Sequence, residues 1–278
     1  MRKLIVLCLI PFFVLSCGDL LQLGIDAAKT AGSITADLAF YYRFDGNTED
    51  SSGNNRDGTH YGVNPFSHGE LDRFGDAGSA VSFINTYMDT GWGSGLEVTG
   101  PLTVNFWIKA QGSAVAFPHA ATQMHLFGVS RRIDPEDTPG LYLEIEPGAA
   151  YDMTVAICDQ ANTANLDTIR FNTVWDDIDL ATWFMVTIVH EDGLGADKLH
   201  LYINNVEQTP DNTYSGLSYR VTLQDEIFLG ASHIDDVVNG DTSDFEMDFM
   251  YIDDFRWFSR ALTARERSAL YYERDYIP

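Results

Sequence analysis

From Ala36 to Ser259 the chain is cut into short runs rich in Val, Ile, Phe, Tyr and Trp, divided by clusters of Gly, Asn, Asp, Ser and Pro, and no stretch before Thr263 holds a helical period. Strands place side chains with a period of two, so this cadence confines the chain to an antiparallel sandwich or barrel. The pattern predicts strands over residues 36–44, 80–83, 102–110, 124–129, 141–145, 153–158, 168–172, 183–190, 198–203, 226–229 and 247–259. Alternation is clearest where Val104, Phe106 and Ile108 share one face, and again where Leu199, Leu201 and Ile203 do. Asn204-Asn205 follows at once, and asparagine tolerates left-handed backbone, so this strand is expected to turn back into Val206-Glu207 as a hairpin. Only 263–272 reads as a helix, with Thr263 as N-cap and Glu266, three residues on, completing a capping box. No internal repeat or second boundary is visible, so one domain is expected over 37–278.

The first residues read as an address. Arg2 and Lys3 precede an apolar run, Leu4 to Leu15, that is too short to span a bilayer. It ends in Val14-Leu15-Ser16-Cys17, which is similar to the lipobox of bacterial lipoproteins, where the cysteine is acylated and becomes the first mature residue. On that resemblance 1–16 is a signal peptide, Cys17 carries the lipid, including palmitate, and 17–36 is a tether. The expected location is the cell envelope, with membrane contact through the anchor only; Gly18 after the cysteine favours the outer membrane where one exists. An ordinary secretory signal is the other reading. Cys8 then leaves with the signal and Cys17 is modified, so Cys158 alone remains, no intrachain disulfide forms, and stability must come from a core.

Seventeen Lys and Arg stand against 41 Asp and Glu, a formal charge of −24. Such a surface repels phosphate backbones, which excludes nucleic acid as a partner.

Four segments carry a family resemblance. Ala39-Phe40-Tyr41-Tyr42-Arg43-Phe44-Asp45-Gly46-Asn47-Thr48-Glu49-Asp50-Ser51-Ser52-Gly53-Asn54 opens the domain, Leu102 to Lys109 forms a Trp-containing strand, Trp183 to Val189 precedes Leu201-Tyr202-Ile203-Asn204-Asn205, and Tyr251-Ile252-Asp253-Asp254-Phe255-Arg256-Trp257-Phe258-Ser259-Arg260-Ala261-Leu262-Thr263 closes it. In order, they resemble the opening strand with its FDGN…DSSGN loop, the W-V-K strand, the LYVNG hairpin and the IDDVRIYNRALS closing strand of the bacterial laminin-G-like, concanavalin A-like lectin and glucanase superfamily. Asn205 stands where that family usually has glycine. The resemblance implies an all-β, antiparallel jelly-roll β-sandwich (concanavalin A-like) with a short C-terminal helix, whose first and last strands lie side by side.

That adjacency would bring the loop of Asp45, Asn47, Asp50 and Asn54 near Asp253 and Asp254, and the resemblance implies a structural calcium ion, Ca2+, there. The oxygen-rich composition permits it. The same residue types also build tight turns that cap their own backbone. A second acidic stretch, Asp235 to Asp244, is read as a solvated loop.

Catalysis finds no minimum set of residues. The superfamily's glucanases carry Glu-x-Asp-x-(x)-Glu on one strand; Glu246-Met247-Asp248-Phe249-Met250-Tyr251 offers two acids and then a tyrosine, leaving no general acid for a sugar leaving group. The histidines are scattered, and no nucleophile elbow, Walker loop or dinucleotide fingerprint is present. The expectation is therefore a non-catalytic binding domain rather than a glycoside hydrolase. A glycan ligand would use Trp92, between Gly91 and Gly93, or Tyr61 beside His60 as a stacking surface. The alternative is a surface scaffold or adhesin that contacts another protein. Trp107, Trp183 and Trp257 are expected in the core.

Overall fold

The computed structural model describes residues 34–62, 67–83, 86–90, 98–110, 124–129, 141–145, 153–158, 166–171, 182–191, 198–210, 222–223, 227–230 and 250–273. One sheet has the order β14 (Val206–Glu207), β13 (Leu199–Ile203), β12 (Phe184–His190), β7 (Leu102–Ala110), β17 (Met250–Phe258), β4 (Ala77–Ser82) and β3 (Ser67–Leu71), with β1 (Leu38–Tyr42) also paired to β17. The other has the order β11 (Leu166–Phe171), β10 (Met153–Cys158), β9 (Leu141–Ile145), β8 (Met124–Val129), β16 (Ile227–Leu229), β5 (Thr86–Asp89) and β2 (Thr59–Gly62). A two-stranded ribbon joins β6 (Val98–Thr99) to β15 (Thr222–Leu223), and α1 spans Ala264–Tyr271.

The two large sheets enclose one apolar core. Val104, Phe106 and Ile108 from β7, Leu199, Leu201 and Ile203 from β13, and Leu141, Leu143 and Val155 from the facing sheet meet Phe40, Tyr42, Phe255 and Trp257 there. Both alternations expected from the sequence therefore point inward as read. Asn204 and Asn205 take φ of 50° and 64°, so the β13–β14 hairpin turns on left-handed backbone as expected. The capping box is present too: Thr263 Oγ1 accepts from the Glu266 amide and Glu266 Oε2 accepts from the Thr263 amide.

The outward face of the eight-stranded sheet is also covered. There Ile34, Leu38, Trp107, Met185, Phe258, Leu262, Ala269 and Leu270 form a second apolar layer beneath α1, and the Tyr271 ring stacks on Trp107 at 5.9 Å. Ile34, three residues before the expected domain start at Asp37, takes part in this layer. Trp257 fills the inner core and Trp107 the outer layer, but Trp183 is only partly buried, its indole N–H reaching the Leu71 carbonyl at 3.3 Å. This corrects the expectation that all three tryptophans are core residues. The signal, Cys17, the tether as far as residue 33, Trp92, the Asp235–Asp244 stretch and Glu246 to Phe249 lie outside the described residues.

Strand β17 is the hinge of the topology. One edge pairs with β7 on both sides of a break between Asp253 and Arg256; the other serves β4 at Tyr251 and Ile252, then β1 from Phe255 to Phe258. The exchange falls at a bulge, where the β7 register slips between Asp253 and Arg256 and Asp254 takes φ of 53°. A bulge re-aims side chains. Here the re-aimed group is the Asp254 carboxylate.

Candidate functional site

The chain ends meet as the resemblance implied: Tyr41 pairs with Arg256 and Tyr42 with Phe255. The loop after β1 is tied back by its own acids. Asp50 Oδ1 accepts from the Tyr41 and Ser52 amides, both at 2.9 Å, while Oδ2 accepts from the Ser52 hydroxyl at 2.8 Å and the Arg56 amide at 3.1 Å. Asn54 donates through Nδ2 to the Leu38 and Ala39 carbonyls. Asn47 accepts from the Glu49 amide, and Asp45 pairs with Arg43 at 2.9 Å on the surface.

Asp254 is placed differently. Its Oδ2 meets Arg73 at 2.7 Å and its Oδ1 meets Arg256 at 3.2 Å, and Oδ1 also accepts from the Tyr41 hydroxyl. Glu273, just past α1, bonds the same two guanidinium groups at 3.2 and 2.7 Å. Arg256 lies over the Tyr41 ring and Arg73 over Trp107. Two cations and two anions are thus balanced in a nearly dry pocket between the bulge and the end of α1. Burial works to raise the Asp254 carboxyl, but Arg256 and Arg73, aided by the Tyr41 hydroxyl, outweigh it and hold it below the ordinary aspartate range. Its neighbour Asp253 shows the opposite balance: burial first, then the adjacent Asp254 charge, push it well above that range, and its Oδ2 has no hydrogen-bond partner.

The six residues of the expected calcium cage do not fit such an ion as they are arranged. Calcium needs six to eight free oxygens converging on one point. Both oxygens of Asp50 are committed to four donors, the Asn54 amide faces carbonyls as a donor, and Asp254 is neutralised by arginine. Asp50 and Asp254 do share Tyr41, yet they hold its opposite ends, amide and hydroxyl. Among the described residues no group of three His, Cys, Asp or Glu side chains is set to hold a metal. Saturating calcium is accordingly expected to leave the melting temperature where a chelator leaves it, as differential scanning calorimetry would show; a rise of several degrees would mean that the loop rearranges around the ion.

Tyr61 and His60, read as neighbours in sequence, are separated by the strand pleat. Tyr61 pairs with Tyr87 and His60 with Met88, which belongs to the core. The imidazole is accordingly on the inward side, its Nε2 against the Thr86 hydroxyl, and not beside the tyrosine ring. Tyr61 faces outward on the edge strand β2, is 44% exposed, and stacks on Tyr87 at 5.1 Å with an interplanar angle of 11°. Tyr87 is buried and meets Phe228 edge to face at 5.7 Å. An exposed ring is thus backed by two buried ones, which fixes its plane. The sequence signal for this support was thin, because β2 and β5 are four-residue strands interrupted by polar residues.

Two antiparallel sheets packed face to face, closed by the pairing of the first and last strands and followed by a short helix, define a jelly-roll β-sandwich. Solved structures share this fold. The binding domain of botulinum neurotoxin serotype D superimposes with a TM-score of 0.57 at 15% identity, over 87% of this chain and 52% of that one. Domain 4 of AbnA, a GH43 extracellular arabinanase from Geobacillus stearothermophilus solved in complex with arabinotriose, gives 0.56 at 19% identity over 86% and 99%. The serotype D ligand binding domain in complex with N-acetylneuraminic acid gives 0.53 at 17% identity over 87% and 52%. The chain spans about half the length of the neurotoxin domains. No family model matches the sequence, and no curated protein does.

Proposed function

We propose that this sandwich is a non-catalytic carbohydrate-binding domain whose described contact surface is centred on Tyr61. The observation that carries the reading is the exposed Tyr61 ring held rigid on buried Tyr87. A flat apolar ring with a hydroxyl at its edge suits the CH face of a pyranose or furanose, and a pre-set ring loses little entropy when a sugar docks. Support of a coarser kind comes from two structures of the same fold solved with sugars, arabinotriose in one and N-acetylneuraminic acid in the other. Asp50 and Asp254, the best-placed carboxylates, are engaged in structural bonds, so the reading assigns them no chemistry on a substrate.

The test is a glycan array followed by calorimetry on the best hit. Tyr61→Ala is expected to weaken binding by at least about tenfold, the loss of one stacking contact of roughly 1.4 kcal/mol. Its melting temperature should stay close to that of the parent, because the truncated ring is largely outside the core. A protein partner captured with no glycan signal would instead make the domain a scaffold.

A further inference from the structure

Resting on that carbohydrate reading, we infer that the domain holds a second, separate saccharide site at Tyr272, on the opposite side of the sandwich from Tyr61. Among the described residues four large apolar side chains are exposed: Tyr61, Leu71, Val206 and Tyr272. Two are aliphatic; the other two are rings held by further rings. Tyr272, 57% exposed, meets Tyr271 edge to face at 5.0 Å, with 71° between the planes. Tyr271 is half-buried and stacks on Trp107 at 5.9 Å and 9°, and Trp107 is itself buried, with the Arg73 guanidinium over its ring. A solvent-facing ring is thus backed by two others, as Tyr61 is by Tyr87 and Phe228. Whichever tyrosine supplies the edge, the contact takes up at most one face of Tyr272.

The backbone that carries Tyr272 is anchored on both sides. Its amide donates to the Ser268 carbonyl at 3.1 Å, in the last turn of α1. The next residue, Glu273, is clamped by Arg73 at 3.2 Å and Arg256 at 2.7 Å in the buried ion network. A residue fixed in this way has given up backbone freedom before any ligand arrives, so stacking costs less ordering entropy. The helix supplies a polar rim. Half-buried Ser268 and exposed Arg265, four and seven residues back, fall on the same side of α1 as Tyr272 and bring a hydroxyl and a guanidinium toward sugar hydroxyls. Beside Tyr61 the corresponding group is Thr59, two residues back on the exposed side of β2. The rings are therefore bordered by different hydrogen-bonding groups and select different saccharides. A flat ring with a few polar groups at its rim suits a sugar, whereas a protein partner of ordinary size would cover about 800 Å² on this side. Sheets stack about 10 Å apart and a helix is about 10–12 Å across, so roughly 20 Å of protein separates the two rings and a short oligosaccharide engages one at a time.

The experiment compares the full-length protein, Tyr61→Ala, Tyr272→Ala and the double variant on one array of neutral and acidic oligosaccharides that includes arabinotriose. Tyr61→Ala is expected to keep a subset of the parent's signals, and the double variant to lose that subset. Calorimetry with the oligosaccharide that Tyr61→Ala binds best should show at least about a tenfold weakening when Tyr272→Ala is added. Tyr272→Phe, which keeps the ring, should retain most of that binding. The melting temperature of Tyr272→Ala should stay close to that of the parent, because the truncated ring is mostly outside the core. Loss of every signal in Tyr61→Ala would overturn the inference while leaving the carbohydrate reading intact, and so would signals that survive in the double variant. An array blank for the parent would overturn both.

Discussion

Asp254→Asn should destabilise the protein by about 3–5 kcal/mol, the cost typical of removing one partner from a buried ion pair. The substitution keeps the side chain's volume and leaves two guanidinium groups, each with only 4% of its side chain exposed, with Glu273 as the carboxylate still in ion-pair contact. Urea unfolding at neutral pH measures it directly. The adjacent position should behave in the opposite way. Asp253 has a partnerless oxygen and a carboxyl pushed up by burial, so Asp253→Asn replaces a group that favours its proton with a neutral one of the same shape. A raised folded-state value means that the carboxyl penalises the fold progressively as pH rises above the unfolded value of about 3.9. The stability difference between Asp253→Asn and the parent should therefore grow in favour of the variant from about pH 4 upward. Asp254 runs the other way: its lowered value contributes stability above the unfolded value, lost as pH falls. Equal losses in both variants would refute the division of roles between the two aspartates.

Trp257→Ala is the other large effect, also about 3–5 kcal/mol, as expected when a large buried aromatic is cut to a methyl group. Trp257 is fully buried, pairs in register with Phe40 and stacks against it at 5.8 Å. Its loss opens a cavity at the seam where the chain's opening and closing strands meet, and among the described strands β1, five residues long, pairs with β17, its other contact being an isolated bridge from Tyr42 to Asp50. Hydrogen exchange should show the amides of β1 losing protection before those of β7 and β12. Uniform loss across the sheet would mean that the seam is no weaker than its surroundings.

The opening and closing segments were legible because each combines a dense aromatic strand with specific turn chemistry. Residues 102–110, 124–129, 141–145 and 153–158 were bounded as the structure has them. The strands β2, β3 and β5 were not seen, since Thr59–Gly62, Ser67–Leu71 and Thr86–Asp89 are short and mix polar with apolar residues. The binary pattern could not reveal that Asn105 and Thr187, polar members of the alternation, would also be buried, bonded to each other at 2.8 Å on the helix-covered side. The ion network was missed for a related reason. Asp253 and Asp254 drew attention as oxygen donors, whereas the informative residue was Arg256, a charge set between Phe255 and Trp257 in a strand that must be buried. Such an arginine needs a counter-ion close by, and Asp254, two residues before it, was the available one.

Ile34 packs beneath α1 on the eight-stranded sheet, whereas Tyr61 looks out from the seven-stranded sheet on the other side of the sandwich. The first described residue and Tyr61 therefore lie on opposite faces of the sandwich. A ligand that docks on Tyr61 approaches the sandwich from the side away from the helix and from the first described residues.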